Sequence, residues 1–129
     1  ESEVKGVSIV LIDDSIAGGT TSARIVQIRK DAGAGKIHML ISPPPFLHPC
    51  YYGTDIDSEE NLAAANHSIP EIADIIGADS LGYLPLDKLS ALTRSSDLCD
   101  SCFSGRYPTA IPEDTRKDRF EKRLSEKDN

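Results

Sequence analysis

Two adjacent carboxylates, followed by a turn rich in glycine and hydroxyl groups, stand after the first apolar run of the chain. Asp13 and Asp14 come directly after residues 9–12, which are apolar and β-branched enough to predict a strand. Gly18 and Gly19 can adopt positive φ angles and so let backbone N–H groups approach a ligand closely. A helical pattern begins next, and the unpaired N–H groups at a helix start favour an anion such as phosphate.

The side chains of this stretch indicate two kinds of ligand group. Thr20, Thr21 and Ser22 can cap the helix and donate hydrogen bonds to phosphate oxygens. The two carboxylates would repel a phosphate, so we expect them to face sugar hydroxyls or a hydrated Mg²⁺ ion. The stretch therefore predicts a ligand with a sugar diol at one end and a phosphate at the other. An ordinary strand-to-helix loop with a well-capped helix is the alternative interpretation.

The surrounding pattern predicts the α/β units that would position this loop. Residues 9–12 are apolar on both faces, which suits a parallel strand covered by helices on each side. Apolar residues recur at helical spacing over residues 23–32, and Gly33 is placed to end that helix. A second strand is predicted over residues 36–42. A strand, a helix and a strand in this order make a parallel crossover.

A second crossover is predicted further along the chain. Ser68 and Glu71 match a capping box, and the helix after them is expected to end at Gly77. Its buried face is predicted to carry Ile72, Ile75 and Ile76. A third strand is predicted over residues 79–84, and the helix after it would place on one face Leu86, Leu89 and Leu92. Three parallel strands make an incomplete doubly wound sheet, whose outer strands need neighbours that this sequence does not supply.

Length and charge narrow the class of protein. The chain has 129 residues, enough for one domain, and a formal net charge of −7. This charge argues against nucleic acid as a general partner, and no apolar run reaches the length of a membrane span. The chain does not begin with Met and has a polar lead-in before its first strand, so we expect the middle of a larger, cytoplasmic protein. In its charged tail, Phe120 and Leu124 are spaced for a short amphipathic helix.

Three cysteines form the second group with possible chemistry. Cys99 and Cys102 make a Cys-x-x-Cys pair, and Cys50 lies far upstream. The spacing leaves four interpretations: a redox disulfide, a zinc site completed by His48 or His67, a [4Fe–4S] cluster completed by a fourth cysteine, or unrelated thiols. The redox disulfide is disfavoured, because such motifs usually open a helix and this pair is expected to follow one. On spacing alone, zinc and unrelated thiols are the leading interpretations.

Residues 7–22 resemble the phosphoribosyl-pyrophosphate (PRPP) motif of type I phosphoribosyltransferases, in which apolar residues, two acids and a Gly-Thr turn with further hydroxyls follow one another. Beyond this loop, the chain resembles the C-terminal part of the amidophosphoribosyltransferases (glutamine PRPP amidotransferases). The resemblance runs in the family's order over residues 4–108. The stretches that carry it are residues 10–16, 19–22, 41–44, 49–55, 76–84 and 99–108.

The resemblance implies a fold and an activity. The fold is a partial type I phosphoribosyltransferase fold over residues 1–94, with a parallel sheet flanked by helices, and a C-terminal cysteine-containing extension over residues 95–129. The activity is the first step of purine biosynthesis, in which ammonia derived from glutamine is transferred to PRPP to give phosphoribosylamine. The ammonia would come from an N-terminal domain outside this chain, so the chain alone is expected to be inactive. The whole enzyme is expected to be a homo-oligomer.

The resemblance also assigns binding residues, but no catalytic residue in this chain. The family's PRPP-binding positions fall on Asp13, Asp14, Ser15, Gly18, Gly19, Thr20, Thr21 and Ser22. The two acids would meet the ribose and a Mg²⁺ ion, and the rest would wrap the 5′-phosphate. One branch of the family carries a [4Fe–4S] cluster on four cysteines, of which three fall on Cys50, Cys99 and Cys102, and the fourth lies upstream. His48 and His67 then become ordinary loop and helix residues.

One position departs from the family, and one other function stays open. Most amidophosphoribosyltransferases have Arg where this chain has Gly18, which removes a cationic contact near the ligand. Other type I members have Gly-Gly-Thr here, so PRPP binding stays the expectation. The alternative is a non-enzymatic phosphate- or nucleotide-sensing module, phosphoribosyltransferase-like or receiver-like, because receivers also hold Mg²⁺ with an acidic pair after their first strand. Against a receiver, the later strands do not end in the Asp and Lys that it needs.

Overall fold

A computed structural model describes residues 4–56, 58–95 and 97–111, and within it three parallel strands form one sheet. The strands are β1 (Ile9–Asp13), β2 (Ile37–Ile41) and β3 (Ser80–Tyr83), and they lie side by side in the order β1-β2-β3. All three predicted strands are therefore confirmed. Each begins and ends within one residue of its expected range. The parallel register places the carboxyl ends of all three strands at one edge.

Two helices cover one face of this sheet. The first, α1 (Thr20–Asp31), connects β1 to β2; it packs on β2 and on α3 (Ile69–Ile76), which precedes β3. The core between helices and sheet is made by buried side chains from the first loop, β2 and α3. They are Ile16, Met39, Ile41, Ile72 and Ile76. Packing of the helices on this one face explains the alternating burial along β2, because successive side chains of a strand point to opposite faces.

The other face of the sheet is exposed within the described residues. Val10 and Ile12 of β1 are 57% and 76% exposed, and Leu40 of β2 is 47% exposed. The sequence predicted helices on both faces, because β1 is apolar on both sides. Within the described residues that cover is present on the α1 and α3 face alone.

Helix α3 begins at the predicted capping box. The Ser68 hydroxyl accepts a hydrogen bond from the Glu71 backbone N–H, and the Glu71 carboxylate accepts one from the Ser68 backbone N–H at 2.7 Å. Gly77 ends the helix in a left-handed conformation with φ 74°. One detail of the predicted buried face is wrong. Ile75 is 51% exposed, and Ala73 takes the buried position instead.

The connections between the core elements are short helical turns. A 3₁₀ turn (Glu59–Asn61) and α2 (Ala63–Asn66) precede α3. After β3 come a second 3₁₀ turn (Leu86–Lys88) and α4 (Leu89–Thr93). The predicted apolar face of this last pair is not buried, because Leu86 and Leu92 are both exposed. None of the described helices is long and apolar enough to cross a membrane.

The C-terminal described segment packs on the loop that follows β2. Its one helix, α5 (Ser101–Ser104), carries Phe103, whose ring stacks on Phe46 with a centroid distance of 5.1 Å. Cys102 lies inside this helix and Cys99 just before it, so the Cys-x-x-Cys pair follows α4, as expected, and also lies at the start of a further helix. The helix expected around Phe120 and Leu124 lies outside the described residues. The division at residue 94 stays a prediction.

Candidate functional site

The loop between β1 and α1 encloses a cleft of about 290 Å³ at the carboxyl edge of the sheet. Every residue from Asp13 to Ser22 lines it. The structure therefore brings together all eight residues predicted to bind PRPP, with Ile16 and Ala17 between them. Clefts at this edge of an open parallel sheet are the usual place for a ligand in α/β proteins.

The two carboxylates stand at the mouth of the cleft in different surroundings. Asp13 is half-buried, and its Oδ1 accepts a hydrogen bond from the Asp14 backbone N–H at 2.9 Å. Asp14 is exposed, and the Ser15 hydroxyl approaches its Oδ1 at 3.4 Å. Among the described residues, no ion pair involves either carboxylate. Both are therefore available to accept hydrogen bonds from hydroxyls or to bind the water shell of a cation.

Ser42 is a residue of this site that sequence reasoning missed. It follows β2 directly, and both its hydroxyl and its backbone N–H donate to the Asp13 carbonyl, at 2.8 and 3.0 Å. These bonds attach the backbone at Asp13 to the end of the neighbouring strand, β2. Its position directly after the second predicted strand could have identified it, because the carboxyl ends of adjacent parallel strands meet at one edge of the sheet.

Gly19, rather than a hydroxyl residue, occupies the position that begins α1. Its φ is 83°, and no side chain caps the helix within the described part of the chain. The prediction that Thr20, Thr21 or Ser22 caps the helix is therefore wrong: the helix begins three residues earlier than expected and includes all three. The N–H groups of this first turn have no partner within the helix, so they can bind an anion in the cleft.

The three hydroxyls differ in exposure. Thr20 and Thr21 are exposed, whereas Ser22 is 3% exposed. All three line the cleft. Thr20 and Thr21 therefore offer the more accessible hydroxyls to a ligand, and Ser22 offers less surface than the sequence suggested.

Gly18 lies where a side chain would have room. A Cβ at this position would have the Asn61 carbonyl oxygen, at 4.0 Å, as its nearest neighbour. Ala17, Gly18 and Gly19 also line a second cleft of about 470 Å³ on the side of α2 and α3. A hydrogen bond from the Ala63 N–H to the Ala17 carbonyl, 2.8 Å long, ties the loop to α2.

The three cysteines come from two segments that the fold brings together. The Cys102 carbonyl accepts hydrogen bonds from the backbone N–H groups of Leu47 and His48, both at 3.0 Å. Burial raises the pKa of the Cys102 thiol, and its neighbours Cys50 and Cys99 raise it further. Cys50 and Cys99 are thus close enough to act electrostatically on the Cys102 thiol, although no three His, Cys, Asp or Glu side chains of the described residues form a group that could hold a metal ion.

The two histidines weighed as zinc ligands have other surroundings. His48 Nδ1 lies 2.7 Å from the Glu59 carboxylate, and its ring packs on Gly105, where a Cβ would lie 2.8 Å from Nε2. Gly105 has φ 72°, so a glycine here both allows the turn and leaves room for the His48 ring. His67 is exposed at the end of α2. The hydrogen bond to Glu59 and the close packing on Gly105 give His48 a structural role.

Comparison with known proteins gives one consistent result. The chain is 48% identical over 117 residues to the amidophosphoribosyltransferase of Synechococcus elongatus, a match that covers 89% of the chain. It is 46% identical over 118 residues to the enzyme of the same name from Bacillus subtilis, covering 87% of the chain. The chain is a homologue of one segment of the amidophosphoribosyltransferases. No protein-family model matches it.

Solved structures agree with this assignment. The chain superposes with a TM-score of 0.78 and 45% identity on a B. subtilis glutamine PRPP amidotransferase complexed with ADP and GMP, covering 88% of the chain. A second structure, described as the allosteric regulatory enzyme of purine biosynthesis, also gives a TM-score of 0.78, with 46% identity. These matches confirm the partial type I phosphoribosyltransferase fold. The chain spans about a quarter of the length of the curated amidophosphoribosyltransferases that it matches.

Proposed function

We propose that this chain supplies the ribose-5-phosphate part of the PRPP site in an amidophosphoribosyltransferase. The observation that carries the proposal is the single cleft that unites Asp13, Asp14 and the Gly-Gly-Thr-Thr-Ser turn. Its lining contains two carboxylates and, at the start of α1, backbone N–H groups and hydroxyls. That combination matches a sugar phosphate, whose hydroxyls are donors and whose phosphate is an acceptor.

The ligand would lie across the loop in one orientation. The 5′-phosphate would accept hydrogen bonds from the first-turn N–H groups and from the exposed hydroxyls of Thr20 and Thr21. The ribose hydroxyls would donate to Asp13 and Asp14. Mg²⁺ fits the same carboxylates, because it binds through one or two of them while keeping several waters. When bound, it would supply positive charge beside the departing pyrophosphate.

This chain's contribution to catalysis would be positioning. Fixing the ribose and its phosphate holds the sugar C1 in place for attack by ammonia, and no nucleophilic side chain of this loop is required. For the whole enzyme, the same proposal includes ammonia derived from glutamine, assembly into a homo-oligomer and a cytoplasmic location.

The cysteines would serve a separate, structural site. The chemistry of the donor set, Cys50, Cys99 and Cys102, would suit a [4Fe–4S] cluster, because such clusters are held by cysteine thiolates. The chain has three cysteines, so the fourth ligand would come from outside it. Their role would be to fix the 46–50 loop to the 97–111 segment.

A carboxylate substitution in the full-length protein tests the PRPP proposal. Replacing both acids, as Asp13→Asn with Asp14→Asn, is expected to abolish PRPP-dependent formation of phosphoribosylamine, because neutral amides bind a cation and ribose hydroxyls poorly. Steady-state assays with ammonia as donor measure this loss directly. The 129-residue chain assayed alone is expected to be inactive.

A matched control separates a site effect from a general loss of charge. Asp74→Asn removes an exposed acid of α3, outside this cleft, and is expected to leave turnover unchanged. Full turnover in the doubly substituted protein would contradict the proposal. Retained ligand binding without turnover in the unsubstituted protein would favour a phosphate- or nucleotide-sensing module.

A further inference from the structure

Two segments far apart in the sequence meet around the three thiols. The loop of residues 46–50 follows β2, and residues 99–107 contain α5 and the turn after it. The contacts that join these segments include the ring stacking of Phe46 on Phe103, two backbone hydrogen bonds to the Cys102 carbonyl, and a hydrogen bond from Tyr107. These contacts hold the segment that carries Cys50 beside the segment that carries the Cys-x-x-Cys pair.

The Tyr107 hydroxyl acts on the peptide bond that leads to Cys50. It donates to the Pro49 carbonyl at 2.7 Å. That carbonyl belongs to the planar Pro49–Cys50 peptide group, so holding the oxygen also fixes the orientation of the Cys50 backbone. Pro49 is buried and has a fixed φ, which leaves the segment few other ways to turn.

The surroundings of Tyr107 keep this donor in place. Its ring lies against Tyr51, with a centroid distance of 5.2 Å, and near Tyr52, at 6.3 Å. Burial raises the pKa of Tyr107 to about 12. The hydroxyl therefore stays protonated across the physiological pH range and remains a hydrogen-bond donor.

The turn formed by residues 100–106, on the Cys-x-x-Cys side of the site, is also held by hydrogen bonds. The Asp100 carboxylate accepts hydrogen bonds from the Ser104 hydroxyl at 2.9 Å and from the Arg106 guanidinium at 3.0 Å. The Ser101 hydroxyl donates to the Arg106 carbonyl at 2.7 Å. These bonds close residues 100–106 into a rigid turn. Tyr107, which follows it directly, therefore reaches Pro49 from a fixed base.

We propose that Tyr107 is a positioning residue for the thiol site, holding Cys50 against Cys99 and Cys102 through the Pro49 carbonyl. The inference rests on the proposed cluster, since it assigns a role toward that site. A tyrosine with only a structural role would affect the stability of the fold. A positioning residue would also change how long the three thiolates hold the cluster and, in metal-free protein, how accessible Cys50 is to a reagent.

Two conservative variants of the full-length protein test this role. Tyr107→Phe removes the hydroxyl that reaches Pro49 and keeps the ring. Tyr52→Phe is the matched control, because it removes a hydroxyl from the same aromatic group that bonds to Thr109 instead, at 2.9 Å. Both proteins are prepared without oxygen and analysed for iron and sulfide. Exposure to air then gives the half-life of the visible cluster absorption.

We expect Tyr107→Phe to shorten this half-life by about 2- to 10-fold, the range that loss of one hydrogen bond gives. Tyr52→Phe should match the unsubstituted protein. In metal-free protein, mass spectrometry should show faster alkylation of Cys50 by iodoacetamide in Tyr107→Phe than in Tyr52→Phe. Thermal unfolding of both variants shows whether a change merely follows lost stability.

The outcomes separate this inference from the cluster proposal. Equal half-lives and equal alkylation in the two variants would overturn the role of Tyr107 while leaving the cluster in place. Absence of iron and sulfide in the unsubstituted protein would overturn the cluster, and the alkylation comparison would then still decide whether Tyr107 holds Cys50.

Discussion

Asp13 and Gly19 set the chemistry of the cleft in different ways. Asp13 provides a carboxylate whose backbone is fixed by Ser42 on the next strand. Gly19 provides a conformation, since it begins α1 with a φ of 83°. A residue with a side chain would adopt this φ at a cost.

Exchanging the two neighbouring glycines for alanine tests this difference. Gly19→Ala is expected to lower the free energy of unfolding by about 1–2 kcal/mol, because an L-residue is strained at positive φ. A Cβ there would lie 3.6 Å from Ile76, an ordinary contact, so the loss would come from the backbone. Gly18→Ala is the control and should change the value by less than about 0.5 kcal/mol, since its Cβ has room.

Urea unfolding of the two glycine variants measures these values. A loss for Gly18→Ala as large as that for Gly19→Ala would contradict the assignment of strain to Gly19 alone.

At the scale of elements, Asp79 fastens the start of the third strand to the second. Its carboxylate accepts a hydrogen bond from the Ile37 N–H at 2.8 Å, and its own N–H donates to the Ile37 carbonyl. The Ile37 N–H lowers the pKa of Asp79, and the positive charges of Lys30, His38 and Lys36 lower it further. The carboxylate form is therefore favoured in the folded protein.

This linkage has a definite sign. Because the folded pKa lies below the ordinary value of 3.8, ionised Asp79 adds stability above that value, and the gain is lost as pH falls through the lower folded pKa. Asp79→Asn should therefore be less stable than the unsubstituted protein at pH 7, with the difference shrinking below about pH 4. Urea unfolding at several pH values measures the difference, and Glu71, whose pKa is also lowered, contributes equally to both proteins. A difference that stays constant with pH would contradict this linkage.

At the scale of the molecule, the described residues give the sheet one packed face and one open face. Ile72 of α3 is fully buried, whereas Ile12 on the opposite face of the sheet is 76% exposed. Both are isoleucines in regular elements. Their positions in the tertiary structure therefore give them different contributions to stability.

Truncating each isoleucine in the 129-residue chain measures that contrast. Ile72→Ala should cost about 2–5 kcal/mol, because it removes packed atoms and leaves a cavity. Ile12→Ala should stay within about 0.5 kcal/mol, since the side chain is mostly solvated. Thermal or urea unfolding gives both values. A large loss for Ile12→Ala in this chain would mean that its face is covered in solution.

The sequence determined the local features of the fold and predicted the kind of chemistry in the loop. Strand, loop and helix follow one another as predicted, the capping box of α3 was legible in Ser68 and Glu71, and the paired carboxylates and glycine turn indicated a sugar phosphate. These features depend on residues a few positions apart, whose spacing is fixed by the period of a strand or helix. Local pattern therefore suffices to predict them.

The tertiary structure decided what depends on distant residues. It bonded Ser42 to the Asp13 carbonyl and joined the loop before Cys50 to Cys102. Within the described residues it also left one apolar face of β1 exposed. Local spacing could not give these results, because each depends on which strand neighbours which and on what packs against it. The residue types in the loop come from the sequence, and their convergence in one cleft comes from the parallel order of the sheet, which brings strand ends to a common edge.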